Sequence, residues 1–210
     1  MRRAAVILAA GQGTRMRSSL SKVLHAVAGR PMLDWSIALT RALGCDPVVV
    51  VGGTHNPDVN ARAAAQGCAT AVQDPPLGTG HAVLAAKDAL AGFEGDVIVL
   101  YADSPFIAAA SGAALFAALD AGAAAAVLGF EPDDPGAYGR LIEGADGTLE
   151  AIVEAREATP DQLAVRLCNA GVMAARAPAG WDLLARVTSQ SAKGGYELSV
   201  GMGLARAGGG

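Results

Sequence analysis

Aromatic residues make up only 4% of this 210-residue chain and charged residues only 17%, against 52% hydrophobic ones. That balance excludes the disordered class, and the abundance of Ala and Gly points to closely packed small side chains. Cysteine is scarce. Cys45, Cys68 and Cys168 are far apart, odd in number and form no C-x-x-C pair, so neither a disulfide framework nor a zinc site is indicated and a reducing compartment fits. Positive charge is also in short supply, with 16 Lys and Arg against 20 Asp and Glu and a net charge of -4. The basic residues are scattered, without the concentrated patch that would neutralise a nucleic-acid backbone, so no nucleic-acid partner is expected. Long apolar runs are missing too. No stretch approaches the roughly 20 residues needed to span a bilayer, and the segment 113–130 is interrupted by Asp120 and Gly122. Met1-Arg2-Arg3 before an apolar stretch resembles the start of a signal peptide, but the run 4–10 is short and ends in a Gly-rich loop. No membrane association is expected, and the location read from the sequence is cytoplasmic.

A chain of this length fits one ordinary domain with a proper core. Short apolar runs at 5–10, 47–51, 70–73 and 97–101 read as strands buried on both faces, and 124–130 and 167–174 complete them. Between them 31–43 reads as a helix, with Pro31 near its first turn and Gly44 just past its end. Segments 79–90 and 110–121 read likewise. Strands alternating with helices predict an α/β fold, a Rossmann-like three-layer α/β/α arrangement around a mostly parallel sheet. Segment 131–159 breaks the rhythm, with turns around Pro132, Pro135 and Gly147 separating strand-like pieces at 138–142 and 149–153. It is expected to form a small β-rich lobe over the site. No hexapeptide period of the kind that builds a β-helix is present.

Three islands carry chemistry. In the first, the strand ends in Ala9-Ala10-Gly11-Gln12-Gly13-Thr14-Arg15-Met16. Gly11 and Gly13 let the backbone turn and present N–H groups to a phosphate, and Arg15 adds a positive fork. A tight turn explains G-x-G alone equally well, and neither the P-loop nor the dinucleotide fingerprint is complete. In the second, Val72-Gln73-Asp74-Pro75-Pro76-Leu77-Gly78-Thr79-Gly80-His81 offers an amide able to pair with a base edge, a glycine for close approach and a threonine able to cap the next helix. A plain loop and cap account for it as well. The third, Val97-Ile98-Val99-Leu100-Tyr101-Ala102-Asp103-Ser104-Pro105, is a buried strand ending in a carboxylate. Open α/β sheets bind ligands at that edge, and Asp103 there suits Mg²⁺ held against phosphate oxygens, although an Asp after a strand also simply opens turns.

The continuation Ser21-Lys22-Val23-Leu24-His25-Ala26-Val27-Ala28-Gly29-Arg30-Pro31-Met32 makes the pattern specific. With the first island it resembles the N-terminal motif of bacterial N-acetylglucosamine-1-phosphate uridylyltransferases, and the likeness extends from residue 4 to about 204. The resemblance implies a single nucleotidyltransferase domain over 1–210 without the family's C-terminal left-handed β-helix acetyltransferase. It implies Arg15 and Lys22 as catalytic residues, Leu8, Ala9, Gly11, Gly13, Gln73, Gly78 and Thr79 as nucleotide-binding, and Asp103 as the metal ligand. Ala137-Tyr138-Gly139-Arg140, Ile152-Val153-Glu154-Ala155 and Asn169-Ala170-Gly171-Val172 match three pieces of the family's sugar-binding half in order, which implies Gly139, Glu154 and Asn169 as sugar-binding.

The sequence departs from the family at several points. Ser21 stands where proline is usual, which is expected to loosen the turn before Lys22. Pro76 replaces a common glutamine, a change expected to weaken uracil selectivity. Gly195, Glu197 and Val200 depart from the G-E-Y-Y-L-T-D pattern. The family's second metal ligand is an asparagine beyond that segment and is not found before Gly210, leaving Asp103 with phosphates and water. The implied substrates are UTP and N-acetylglucosamine-1-phosphate, with Mg²⁺ as cofactor. A nucleotidylyltransferase for another sugar or alcohol phosphate, and a nucleotide-binding protein without turnover, remain the competing readings. His25 and His81 read as structural, because the implied reaction needs no proton abstraction. Nothing in the sequence sets the oligomeric state.

Overall fold

The computed structural model describes residues 1–11, 13, 16–75, 77–181, 183 and 184, together with the backbone of 196–206. In chain order the elements are β1 (Arg3–Leu8), a 3-10 turn at Lys22–Leu24, the short strands β2 (Ala26–Val27) and β3 (Arg30–Pro31), α1 (Met32–Ala42), β4 (Val48–Gly53), α2 (Pro57–Ala65) and β5 (Ala69–Gln73). These are followed by α3 (Thr79–Ala85), a 3-10 turn at Asp88–Leu90, β6 (Gly95–Tyr101), α4 (Ala109–Asp120) and β7 (Ala125–Phe130). Then come β8 (Arg140–Glu143), β9 (Leu149–Val153), α5 (Pro160–Leu163), β10 (Cys168–Ala177) and β11 (Tyr196–Arg206).

Among the described residues nine strands form one sheet in the order β5-β4-β1-β6-β10-β7-β11-β9-β8. Pairing is parallel from β5 through β4 and β1 to β6, and again between β7 and β11. Strand β10 is antiparallel to both β6 and β7, so it is the reversed strand within an otherwise co-directional central block. This is the mostly parallel α/β sheet that the alternating pattern predicts.

Alternation along β1 explains the layers. Ala4, Val6 and Leu8 point to one face, where they meet Ala82 and Val83 of α3 and the segment around Trp181. Ala5 and Ile7 point to the other, against Leu33 and Ile37 of α1, Val59 and Ala63 of α2, and Leu115, Phe116 and Leu119 of α4. Both faces are covered, so β1 is apolar from Ala4 onward, and each fully buried Val, Ile or Leu contributes about 1.5–3 kcal/mol. Helix α1 ends as the Gly44 signal predicts. Gly44 takes φ +73°, its N–H donates to Arg41 O, and Cys45 N–H donates to Thr40 O, which together close a Schellman cap.

The structure revises several expectations. Strand β5 is not buried on both faces: it lies at the edge of the sheet that the described residues form, and its Ala69, Thr70 and Val72 are exposed. The helix expected over 79–90 stops at Ala85 and gives way to the separate turn at Asp88–Leu90. Helix α2 is absent from the sequence reading, although Pro57 at its first turn and the alanines behind it are helix signals. The strands of the 131–159 segment do form, but as a hydrogen-bonded continuation of the main sheet through β9 and β11.

Helices α1 and α2 are joined by a charged contact. Arg62 donates from Nε to Asp34 Oδ1 at 2.7 Å and from a terminal nitrogen to Oδ2 at 2.5 Å, and Gln66 Nε2 donates to Oδ1 at 2.9 Å. The Arg62 hydrogen bond outweighs partial burial and holds the Asp34 carboxyl below the usual carboxylate range. A depressed folded-state value makes this stabilisation present above the unfolded carboxylate pKa, and it is lost as pH falls through the lower folded value. Asp34→Asn is therefore expected to cost about 1–2 kcal/mol at pH 7 and progressively less below about pH 4. Urea unfolding at pH 7 and pH 3 checks this, and an equal deficit at both would contradict it.

Candidate functional site

At the C-terminal edge of β1 the strand order reverses, since the chain proceeds through β4 and β5 on one side before β6 pairs on the other. Open parallel sheets gather ligands at such a point because the two departing loops diverge and leave a crevice. Register places Leu8 opposite Tyr101, Ala9 N–H donates to Val51 O at 2.8 Å, and Ala102 N–H donates to Leu8 O at 3.0 Å. The Gly-rich loop and the Asp103 loop therefore leave the sheet side by side. Between them lies a cleft of about 270 Å³ lined by residues that include Leu8, Ala9, Gly11, Lys22, Gln73, Gly78, Thr79, Tyr101 and Asp103.

Lys22 Nζ donates to Asp103 Oδ2 at 2.6 Å, with each side chain a little over a third exposed. An ammonium and a carboxylate thus share the mouth of the cleft, although 81 residues separate them in sequence. Gly13 sits behind the lysine at φ +60°, and a Cβ there would lie 2.7 Å from Lys22 Cβ. Its lack of a side chain is what lets the loop and the lysine turn pack together. Gly11 has nothing among the described residues within 4 Å of such an atom. Arg15, the other predicted cation, lies outside the described residues, as do Pro76 and Gly195. Glu197 and Val200 lie in β11, where only the backbone is described.

On the base side, Gln73 is buried and its Nε2 donates to Gly78 O at 2.7 Å. Its amide donor therefore fixes the Gly78 carbonyl at the entry to α3. Gly78 takes φ +100°, a conformation that side-chain-bearing residues rarely adopt, and it is the N-cap of α3. The expectation that Thr79 caps this helix is corrected. Thr79 is the first helical residue, no side chain among the described residues caps α3, and the Thr79 side chain instead interacts with that of Tyr101.

Tyr101 joins the two halves of the site. Burial is the main cause pushing its phenol up, the Thr79 contact opposes that, and the negative charges of Asp103 and Glu154 add to it. Held as a neutral phenol at ordinary pH, it presents a hydroxyl. Gly171, at φ +75°, has space for no Cβ because one would stand 2.8 Å from the Tyr101 ring. Behind it, Asn169 Oδ1 accepts from Gly171 N–H at 2.8 Å, and Asn169 N–H donates to Gly139 O at 2.9 Å. A Cβ on Gly139 would lie 3.4 Å from Glu154 Oε1. Gly139, Glu154 and Asn169 are thus adjacent to one another beside Tyr101, although they do not line the cleft itself. His25 and His81 do not line it either.

Two contributors were missed in the sequence. Tyr101 was visible as the last residue of a buried strand, but only the register opposite Leu8 shows that it walls the cleft. Asn56 is 3% exposed, accepts from Gly53 N–H at 2.6 Å and donates to Ala9 O at 3.1 Å, bracing the end of β1 against that of β4. Its signal was the polar turn Thr54-His55-Asn56 directly after an all-apolar strand. At Ser21, where the loss of proline is expected to loosen the turn, the side chain has a partner. Ser21 holds φ -54° and ψ 136°, and its Oγ donates to Asp58 Oδ1 at 2.9 Å.

Fold and site have the form of a nucleotidyltransferase, a three-layer α/β domain with a Gly-rich turn, a lysine and an aspartate at one sheet edge. The chain belongs to the MobA-like NTP transferase domain family, whose pattern matches residues 5–192. It is 58% identical over 216 residues to the bifunctional protein GlmU of Hyphomonas neptunium and 58% identical over 205 residues to that of Maricaulis maris, each match covering 98% of this chain and 45% of the relative. The bifunctional protein GlmU of Caulobacter vibrioides is 53% identical over 205 residues, covering 97% of this chain and 44% of the relative. The chain therefore spans less than half the length of these curated relatives. A UDP-glucose pyrophosphorylase from Acinetobacter baumanii superposes with a TM-score of 0.70 at 19% identity, covering 100% of this chain and 87% of that one, which shows the shared fold. No helix among the described residues is long and apolar enough to cross a membrane.

The contrast between the two loop glycines is directly testable. Gly13→Ala forces a side chain onto Lys22 at a positive φ and is expected to cost at least about 1–2 kcal/mol. Gly11→Ala is expected to change the unliganded protein by less than about 0.5 kcal/mol. Denaturant unfolding of both variants measures the difference, and equal effects would contradict the packing described.

Proposed function

We propose that residues 1–210 act as one nucleotidyltransferase unit that transfers UMP from UTP to N-acetylglucosamine-1-phosphate, releasing pyrophosphate, in the cytoplasm. The observation that carries this reading is the convergence of the Gly-rich turn, Lys22 and Asp103 on one cleft, with the base-side loop and the Gly139-Glu154-Asn169 group around Tyr101. The family and the named relatives support the reaction class. The choice of an amino sugar and a uridine nucleotide rests on the sequence motifs.

The sugar phosphate is already anionic, so no protein nucleophile or general base is needed for in-line attack on the α-phosphorus. What the protein supplies is alignment of two anions and neutralisation of charge on the transferred group. Lys22 stands where its ammonium meets that phosphate, and Arg15 is its proposed companion. The backbone from Leu8 to Gly11 lines the side of the cleft where phosphate oxygens would approach, while Gln73, Gly78 and Thr79 form the base side. Gly139, Glu154 and Asn169 offer a backbone, a carboxylate and an amide to sugar hydroxyl and acetamido groups. The part-exposed, hard-oxygen carboxylate of Asp103 fits Mg²⁺, which commonly takes one or two carboxylates and fills its remaining positions with phosphates and water. When bound, the ion would draw charge from the phosphate oxygens.

Pyrophosphate release from the purified chain with UTP, N-acetylglucosamine-1-phosphate and Mg²⁺ tests the reading against CTP, dTTP and glucose-1-phosphate controls. Preferential release with the first pair is expected. Release only with another pair would keep the chemistry and move the substrate, and none from a folded, UTP-binding chain would reject turnover. Lys22→Ala is expected to lower kcat by about two to three orders of magnitude, whereas Asn169→Ala should act mainly on KM for the sugar phosphate.

A further inference from the structure

The entry to α2 lies outside the cleft lining, yet it touches the turn that carries Lys22. Asp58, in the first turn of α2, accepts from Ser21 Oγ at 2.9 Å through Oδ1 and at 3.1 Å through Oδ2. Ser21 immediately precedes Lys22 and holds φ -54° and ψ 136°. Those torsions lie in the polyproline region, which a pyrrolidine ring would preset and which a serine occupies as one choice among several. From Ser21 the chain enters the 3-10 turn, where Leu24 N–H donates to Ser21 O at 2.9 Å and His25 N–H to Lys22 O at 3.2 Å. The direction in which Lys22 leaves the backbone therefore follows from the Ser21 torsions. Asp58 is a firm anchor because the residues before it are braced to the sheet, through Asn56 to Gly53 N–H and Ala9 O.

We propose that Asp58 is a positioning residue for Lys22: through Ser21 it holds the lysine turn in the conformation that places the ammonium at the cleft mouth. It touches neither the cleft nor Asp103, so its influence passes through backbone geometry alone. An exposed hydrogen bond adds little to global stability, but a displacement of about 1 Å at a charge-stabilising group is costly to a reaction that depends on alignment. The kinetic consequence rests on the transfer reading above. The structural consequence does not.

The test compares wild type, Asp58→Ala and the double variant Asp58→Ala/Ser21→Pro, in which the ring replaces the lost hydrogen bond as the restraint on φ. Amide hydrogen exchange at Leu24 and His25 is expected to speed up several-fold or more in Asp58→Ala and return towards wild type in the double variant. Turnover in pyrophosphate release is expected to fall by about tenfold with KM for UTP within about twofold, and proline should restore it. Unchanged exchange in Asp58→Ala, or a deficit that proline leaves in place, would overturn the proposal. The exchange pattern without pyrophosphate release from wild type would leave the positioning role standing and reject the transfer reading instead.

Discussion

The parallel pairing of β1 with β6 is the constraint on which the site depends. It sets Leu8 opposite Tyr101 and sends the two following loops off the same sheet edge. Because helices cover both faces of these strands, their side chains are committed to packing, and only the loop ends at the carboxyl edge remain for chemistry. A shift of one residue in this register would turn every β1 side chain to the opposite face and carry the Gly-rich loop away from Asp103. The stability of the core and the geometry of the cleft therefore rest on the same ladder of backbone hydrogen bonds.

Around that ladder the site is assembled from contacts that make no catalytic demand of their own. Gly13 is small so that Lys22 can pack against the loop, and Gly171 is small so that the Tyr101 ring can lie against the β10 turn. Gln73 fixes the Gly78 carbonyl, and Asn56 joins the ends of β1 and β4. Gln73 and Asn56 are buried polar side chains with defined partners, which is how such groups are tolerated in an apolar interior. Lys22 and Asp103 meet as an ion pair at the mouth, where solvent reaches both and either can turn to a phosphate or a cation.

The buried cysteines agree with a chain that uses its thiols as packing atoms. Burial pushes the Cys45 thiol up to about 12 and raises those of Cys68 and Cys168, so none is a thiolate at neutral pH.

Much of this was determined by the sequence alone. Doubly buried strands must be apolar runs, so β1, β4, β6 and β7 were legible from composition, and Gly44 marked the end of α1. The three islands were legible as candidates from the Gly-Gln-Gly turn, the Gln73-to-Thr79 loop and the strand-ending aspartate, and the continuation through Lys22 made the pattern specific. The edge status of β5 was not, because it depends on which strands pair and not on the strand's own residues. Helix α2 lacked an apolar face strong enough to announce it: only Val59 and Ala63 are buried along its length. The Lys22–Asp103 pair, the contact of Thr79 with Tyr101 and the tether from Asp58 to Ser21 join residues 81, 22 and 37 positions apart. Local chemistry can name such residues as candidates. Only the tertiary structure could bring them together, because strand order and register, which arise from packing the whole sheet, decide which loop ends become neighbours.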